Sequence, residues 1–140
     1  MKRLLLASAL LLAGPALAQQ APATAPGTPE GFRTTLLLET PLRGTPQRTY
    51  RLYTIELAPG AATPRHMHPG DEIALVTDGT VTLEMEGEAP KTFHAGEVLH
   101  PRPMTAHMAR NASATAVARL TVSSITESGR PSTVMAGPRN

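Results

Sequence analysis

Residues 60–79 read GAATPRHMHPGDEIALVTDG, and the fold follows from how this stretch is punctuated. Pro59-Gly60 precedes it, Pro69-Gly70 divides it and Asp78-Gly79 closes it. Between these breaks lie short segments that alternate in polarity. His66 and His68 flank Met67. On a strand, residues i and i+2 face the same side, about 6.5–7 Å apart, so two imidazoles at this spacing can converge on one ion. Glu72 opens the next segment and can return its carboxylate to the same point, with Ala74 and Val76 on its face. His107 lies after a further Gly/Pro break, at Gly96 to Pro103, and can add a third imidazole from another strand. Three neutral imidazoles and one carboxylate suit Fe, Mn, Zn, Ni, Co or Cu, and do not suit Ca or Mg. Small or β-branched residues at 74, 76, 105 and 109 share parity with these ligands. They would leave a cavity beside the ion.

The same texture extends outward. From Phe32, runs rich in Thr, Val, Leu, Ile and Tyr alternate with Gly and Pro every eight to twelve residues. The pattern predicts strands over 32–40, 48–57, 64–68, 72–77, 80–86, 91–94, 98–100, 106–110 and 115–123. Breaks are expected at 41–46, 59–60, 69–70, 78–79, 87–90 and 96. No segment after Gly31 has a helical period. This is the signature of an all-β sandwich or barrel. In 80–86, Val81, Leu83 and Met85 share one face, and Asp78-Gly79 before them is a two-residue hairpin signal. The run Leu36-Leu37-Leu38 is too apolar for a free edge. It is expected to pair across a homodimer, to lie over the barrel, or to be buried within one subunit.

Further out, the chain ends differ from its middle. Lys2 and Arg3, an apolar run from Leu4 to Leu12, a break at Gly14-Pro15 and the small-x-small Ala16-Leu17-Ala18 form a secretory signal peptide over residues 1–18. The apolar run is well short of the roughly 20 residues a membrane span needs. Cleavage before Gln19 predicts a periplasmic or secreted protein with no remaining membrane attachment. Residues 19–31 read as a disordered Ala/Pro/Thr spacer, 32–127 as the domain, and 128–140 as a Gly/Pro/Ser tail that wraps the surface or frays. The chain has 13 basic and 11 acidic residues, and losing Lys2 and Arg3 evens the two. No basic stripe remains for nucleic acid. With no cysteine, packing, a metal or a partner subunit must supply the stability that disulfides give other exported domains. A mature chain of about 120 residues supports one core.

The residues carry a family resemblance. Gly60, His66, His68, Glu72 and Gly79 stand at every fixed position of the first cupin motif. Gly96, His107 and Asn111 stand at the offsets of the second. The chain resembles the small single-domain cupins, quercetin-dioxygenase-like members included. The resemblance implies a double-stranded β-helix, or jelly-roll, barrel, with His66, His68, Glu72 and His107 as ligands of one divalent transition metal. Arg102 stands where the second motif has Pro, and Met104 where it has Gly. Both substitutions would fall at the cavity mouth. His94 and His100 match nothing and read as surface residues. Arg65, of opposite parity to His66, should point out of the barrel. Asn111 opens an Asn-Ala-Ser sequon but reads as structural. Tyr50, Tyr53, Phe32 and Phe93 read as core or interface residues.

Fold resemblance fixes architecture better than reaction. The first expectation is a metal-dependent, dioxygenase-like enzyme acting on a small organic molecule, with Glu72 as fourth ligand or general base and Glu86 as a second acid–base candidate by composition alone. The second is a non-catalytic module that binds a small molecule or the metal itself. The third is a structural domain without metal.

Overall fold

The computed structural model describes residues 31–137. The expected signal peptide, all of the expected spacer but Gly31, and residues 138–140 of the expected tail lie outside them. Among the described residues every regular element is a strand: β1 (Phe32–Leu42), β2 (Thr45–Leu57), β3 (His66–Met67), β4 (Asp71–Asp78), β5 (Thr80–Met85), β6 (Lys91–His94), β7 (Val98–Leu99), β8 (His107–Asn111), β9 (Ala118–Glu127) and β10 (Val134–Met135). They form two five-stranded sheets, ordered β1-β2-β9-β4-β7 and β10-β3-β8-β5-β6, with every pairing antiparallel. No helix here is long and apolar enough to cross a membrane.

Alternation explains the core. Ile55 and Leu57 of β2, Ala74 and Val76 of β4, and Leu120 and Val122 of β9 turn inward from one sheet. Val81 and Leu83 of β5, Phe93 of β6 and Ala109 of β8 meet them from the other. These side chains pack together between the two inner faces as the core of the described residues. Asn111 is buried beneath one end. Its Nδ2 donates to the carbonyls of Leu57, Ala58 and Ala116, and its Oδ1 accepts from Ser113 N–H. The sequon asparagine is thus a clamp between loops. The same loop delays β9, expected from Thr115, to Ala118, because Ser113 Oγ holds the N–H groups of Thr115 and Ala116 in a turn.

Three expectations are corrected. The break at 41–46 shrinks to Arg43-Gly44: β1 and β2 run to Leu42 and from Thr45 as a hairpin, with Gly44 at φ +80°. Pro41 is tolerated because β1 is an edge strand, where a missing N–H costs no ladder bond. Asp78-Gly79 makes no hairpin, since β4 and β5 belong to different sheets. It is the corner where the chain crosses between them. Gly79 is required there twice over: its φ is +78°, and a Cβ would stand 3.1 Å from both Ala118 Cα and the Val117 carbonyl oxygen. Third, Leu36, Leu37 and Leu38 neither lie over the barrel nor are buried within one subunit, for all three are exposed. Residue 37 sits at a bulge, which puts Leu36 opposite Tyr53 and Leu38 opposite Leu52, on opposite faces of the sheet.

Candidate metal centre

β3 and β8 lie side by side with His66 directly opposite His107. His68 follows β3 on the same side as His66, and Glu72 enters from β4 on the other sheet. The ring centroids are 4.5 Å apart for His66 and His107, 4.7 Å for His66 and His68, and 5.2 Å for His68 and His107. One nitrogen from each ring lies within 4.8 Å of the others, so the three could hold a metal ion. His68, Glu72 and His107 are buried.

Backbone carbonyls fix the ring tautomers. His66 Nδ1 lies 2.6 Å from the Pro64 carbonyl oxygen, His68 Nδ1 2.8 Å from that of Ser132, and His107 Nδ1 2.8 Å from that of Thr105. A carbonyl can only accept, so each Nδ1 carries a hydrogen, and Nε2 is the nitrogen left to face an ion. These hydrogen bonds hold each ring in the orientation that a metal-binding histidine needs. They also test the fit of a cation. His68 Nε2 is fully buried and makes no hydrogen bond, although Glu72 Oε2 is 3.0 Å away. A lone pair facing a carboxylate oxygen at that distance requires positive charge between them, either a proton or a metal ion. The donor set fits a borderline transition metal.

The electrostatics agree. Burial lowers the pKa of His66 from 6.5 to about 4 and lowers that of His107, so both rings are neutral at pH 7 and free to coordinate. Burial also presses on His68, but the Glu72 carboxylate outweighs it and holds the ring above its ordinary pKa. Burial presses the Glu72 carboxyl upward, yet contact with His68 and a hydrogen bond from Tyr53 hold it below the usual range, so it is ionised. Tyr53 Oη donates to Glu72 Oε2 at 2.5 Å. Burial and that anion raise the Tyr53 pKa, and the phenol keeps its proton.

Two features around these rings escape the sequence. Tyr53 reads there only as a core or interface residue. Its inward parity with Ile55 and Leu57 is the available signal, but parity does not show its proximity to Glu72. The tail does not fray at 134–135: Val134 and Met135 pair with Met67 and His66, and Ser132 supplies the carbonyl for His68. Arg65 points out of the barrel, as expected, and there pins this segment through the Gly137 carbonyl at 2.6 Å and Glu86 at 3.1 Å. Glu86 is therefore a surface ion-pair partner, not a group of the site. Arg102 pairs with Glu88, and Met104 is exposed at φ +55°. Neither is in the wall of the cavity beside the imidazoles. His94 and His100 are exposed, as expected.

Comparison with known proteins places this geometry. A family model described as a cupin domain matches residues 53–123. No curated protein matches the chain in sequence. Among solved structures, the DMSP lyase DddQ from Ruegeria pomeroyi DSS-3 is similar at 20% identity and a TM-score of 0.62, over 78% of this chain and 53% of that one. Recombinant oxalate oxidase in complex with glycolate is similar at 24% and 0.59, over 78% and 57%. A cupin 2 conserved barrel domain protein from Salinispora arenicola CNS-205 is similar at 25% and 0.54, over 66% and 74%. The chain spans little more than half the length of the first two, and the likeness to them is one of fold.

Proposed function

The chain belongs to the cupin domain family, and from that premise we propose that it is an exported protein in which His66, His68, His107 and Glu72 hold one divalent transition-metal ion and act with it on a small organic molecule. The observation that carries the reading is the commitment of all three Nδ1 atoms to backbone carbonyls. It leaves the three rings free to coordinate through Nε2, with the Glu72 carboxylate 3.0 Å from that of His68. A bound ion would supply Lewis-acid polarisation of a ligand oxygen. The chain's own groups orient and protect. Ile55, Pro64, Phe32 and Met135 give the adjoining cavity an apolar wall. Glu72, ionised and hydrogen-bonded by Tyr53, is the one carboxylate in that wall able to take a proton from a bound molecule. Two solved relatives of the fold are named as a lyase and an oxidase of small molecules, which supports an enzyme.

One observation favours the alternative, a non-catalytic binding module. Apart from the site's own imidazoles, Glu72 and Tyr53, the cavity wall offers no acid or base, only apolar side chains and threonine hydroxyls. Export rests on residues 1–18, and a homodimer on the exposed outer face of the first sheet. There Leu38, Leu52, Ser123 and Ile73 stand in one row, and Leu75 faces Val98 in the next.

Elemental analysis of protein purified from its native compartment tests the metal. Less than about a tenth of an equivalent would leave a structural domain without metal. Metal-loaded protein is then assayed for O₂ uptake and for turnover of small ketones, flavonols and uronates, beside His66→Ala. Turnover lost in that variant supports the enzyme. Ligand binding without turnover in any metal form supports the module.

A further inference from the structure

We infer that the barrel carries a second ligand site, separate from the metal centre, in the groove between the free edges of β6 and β7, and that it takes a compact carboxylic acid with an apolar body. Three observations carry it: a buried apolar floor, an ammonium group standing over that floor, and the lack of a carboxylate to pair with the ammonium.

β6 ends the second sheet and β7 ends the first, so the sheets part on the side away from β1 and β10. The gap there holds a groove of about 220 Å³, and none of the residues lining it belongs to the imidazole centre. Alternation builds its floor. Leu83 and Met85 turn inward from β5 and Phe93 from β6, and all three are buried. A branched aliphatic chain, a thioether and an aromatic ring together make a surface on which an apolar body packs. A cavity of about 150 Å³ accepts benzene, so a single ring has room here.

Lys91 stands over this floor. It lies opposite Leu83 in the β5–β6 ladder and so shares that residue's inward parity. Its Nζ is 4.9 Å from the centroid of the Phe93 ring. It is the only lysine among the described residues, and it pairs with no carboxylate among them. The one carboxylate in the groove wall, Glu88, is held by Arg102. His100, on the facing rim, has Asp71 at 3.9 Å. An inward lysine on an edge strand deters pairing with a foreign strand. That role accounts for a charge at this position and leaves it without a counter-ion. A carboxylate supplies the counter-ion, and an apolar body attached to it covers the floor. Lys91 is exposed, so the ion pair adds a few-fold selectivity while the apolar contact supplies most of the affinity.

Phenylacetate is the probe. Its neutral amide, phenylacetamide, and acetate, which lacks the body, are the contrasts. Binding is followed by backbone amide shifts in the metal-depleted and the zinc-loaded protein. The amides of Phe93 and His100 report on the groove and that of His66 on the metal centre; Leu83 is set aside because it also lines the small cavity against His107. Phenylacetate is expected to shift the groove amides saturably and alike in both forms. It is expected to bind about three- to fivefold more tightly than phenylacetamide, with acetate weaker than either. Lys91→Met, which keeps an apolar stem, removes the preference for acid over amide and leaves amide binding unchanged. Ala89→Glu, which adds a carboxylate at an exposed position in the wall, weakens the acid and spares the amide. Acid and amide binding within about 1.5-fold of each other, a preference that survives Lys91→Met, acetate binding as tightly as phenylacetate, or no saturable shift in the groove would each overturn the inference. So would acid-induced shifts confined to the metal centre of the zinc-loaded protein.

Discussion

Replacing Tyr53 with Phe removes one oxygen atom from the centre and should cost metal affinity without unfolding the barrel. The phenol donates to Glu72 Oε2 at 2.5 Å, and the acceptor is an ionised carboxylate buried at 7% exposure. Hydrogen bonds to charged groups contribute about 1.5–3 kcal/mol. Two effects follow from deletion, with opposite signs. The carboxylate becomes more basic, which favours a metal. It also loses the contact that fixes its orientation toward His68 Nε2, and the second effect is the larger because a misaimed ligand contributes nothing. Loss of a partner in this position typically lowers metal affinity about 10–100-fold, the same range as the hydrogen bond itself at about 1.4 kcal/mol per tenfold. The assay is a chelator-competition titration with Zn²⁺, with circular dichroism to establish that the fold persists. Tyr50→Phe is the control, because Tyr50 lies opposite Ile125 and Thr40 with parity away from the cavity, and its affinity should not change. If folded Tyr53→Phe binds zinc within about threefold of the parent protein, the hydroxyl does not position Glu72 and the reasoning fails.

Other consequences are as direct. A chain ending at Arg130 loses the Ser132 carbonyl that orients His68 and the β10 strand beside His66; zinc affinity should drop about tenfold or more while most of the two sheets persists, and an unchanged titration would show that the tail is dispensable. The metal-free protein should lose stability as pH falls from about 6.5 toward 4, because the unfolded His66 takes up a proton that the folded ring, lowered to about 4, refuses. That contribution reaches about 3 kcal/mol, at about 1.36 kcal/mol for each tenfold difference in proton affinity between the folded and unfolded ring. His68, raised, acts in the opposite sense, so urea unfolding of His66→Gln beside the parent at pH 7 and pH 4 isolates it, and equal pH dependence in both would refute it. Gly79→Ala meets a φ of +78° and Cβ contacts of 3.1 Å to backbone; a cost of about 2 kcal/mol should lower Tm by about 10 °C, and a change under 2–3 °C, roughly the effect of 0.5 kcal/mol, would show that the corner relaxes at little cost.

What the sequence determined is local and chemical. Alternation and Gly/Pro punctuation specify strands, because side-chain parity and turn conformations are properties of a few adjacent residues. The spacing of His66, His68 and Glu72 allows convergence, because strand geometry sets how far apart their side chains start. The fold brings the three imidazoles together between the sheets and sets Glu72 beside His68. What the sequence left open is partnership. Arg43-Gly44 and Asp78-Gly79 look alike as turns. The first closes a hairpin and the second carries the chain to the other sheet, since a turn does not choose the neighbour of the strand that follows it. Tyr53 and the Ser132 carbonyl reach the centre from 19 and 64 residues away. Only the stacking of two sheets, driven by burial of Leu57, Val76, Val81 and Leu120, decides which distant groups become neighbours.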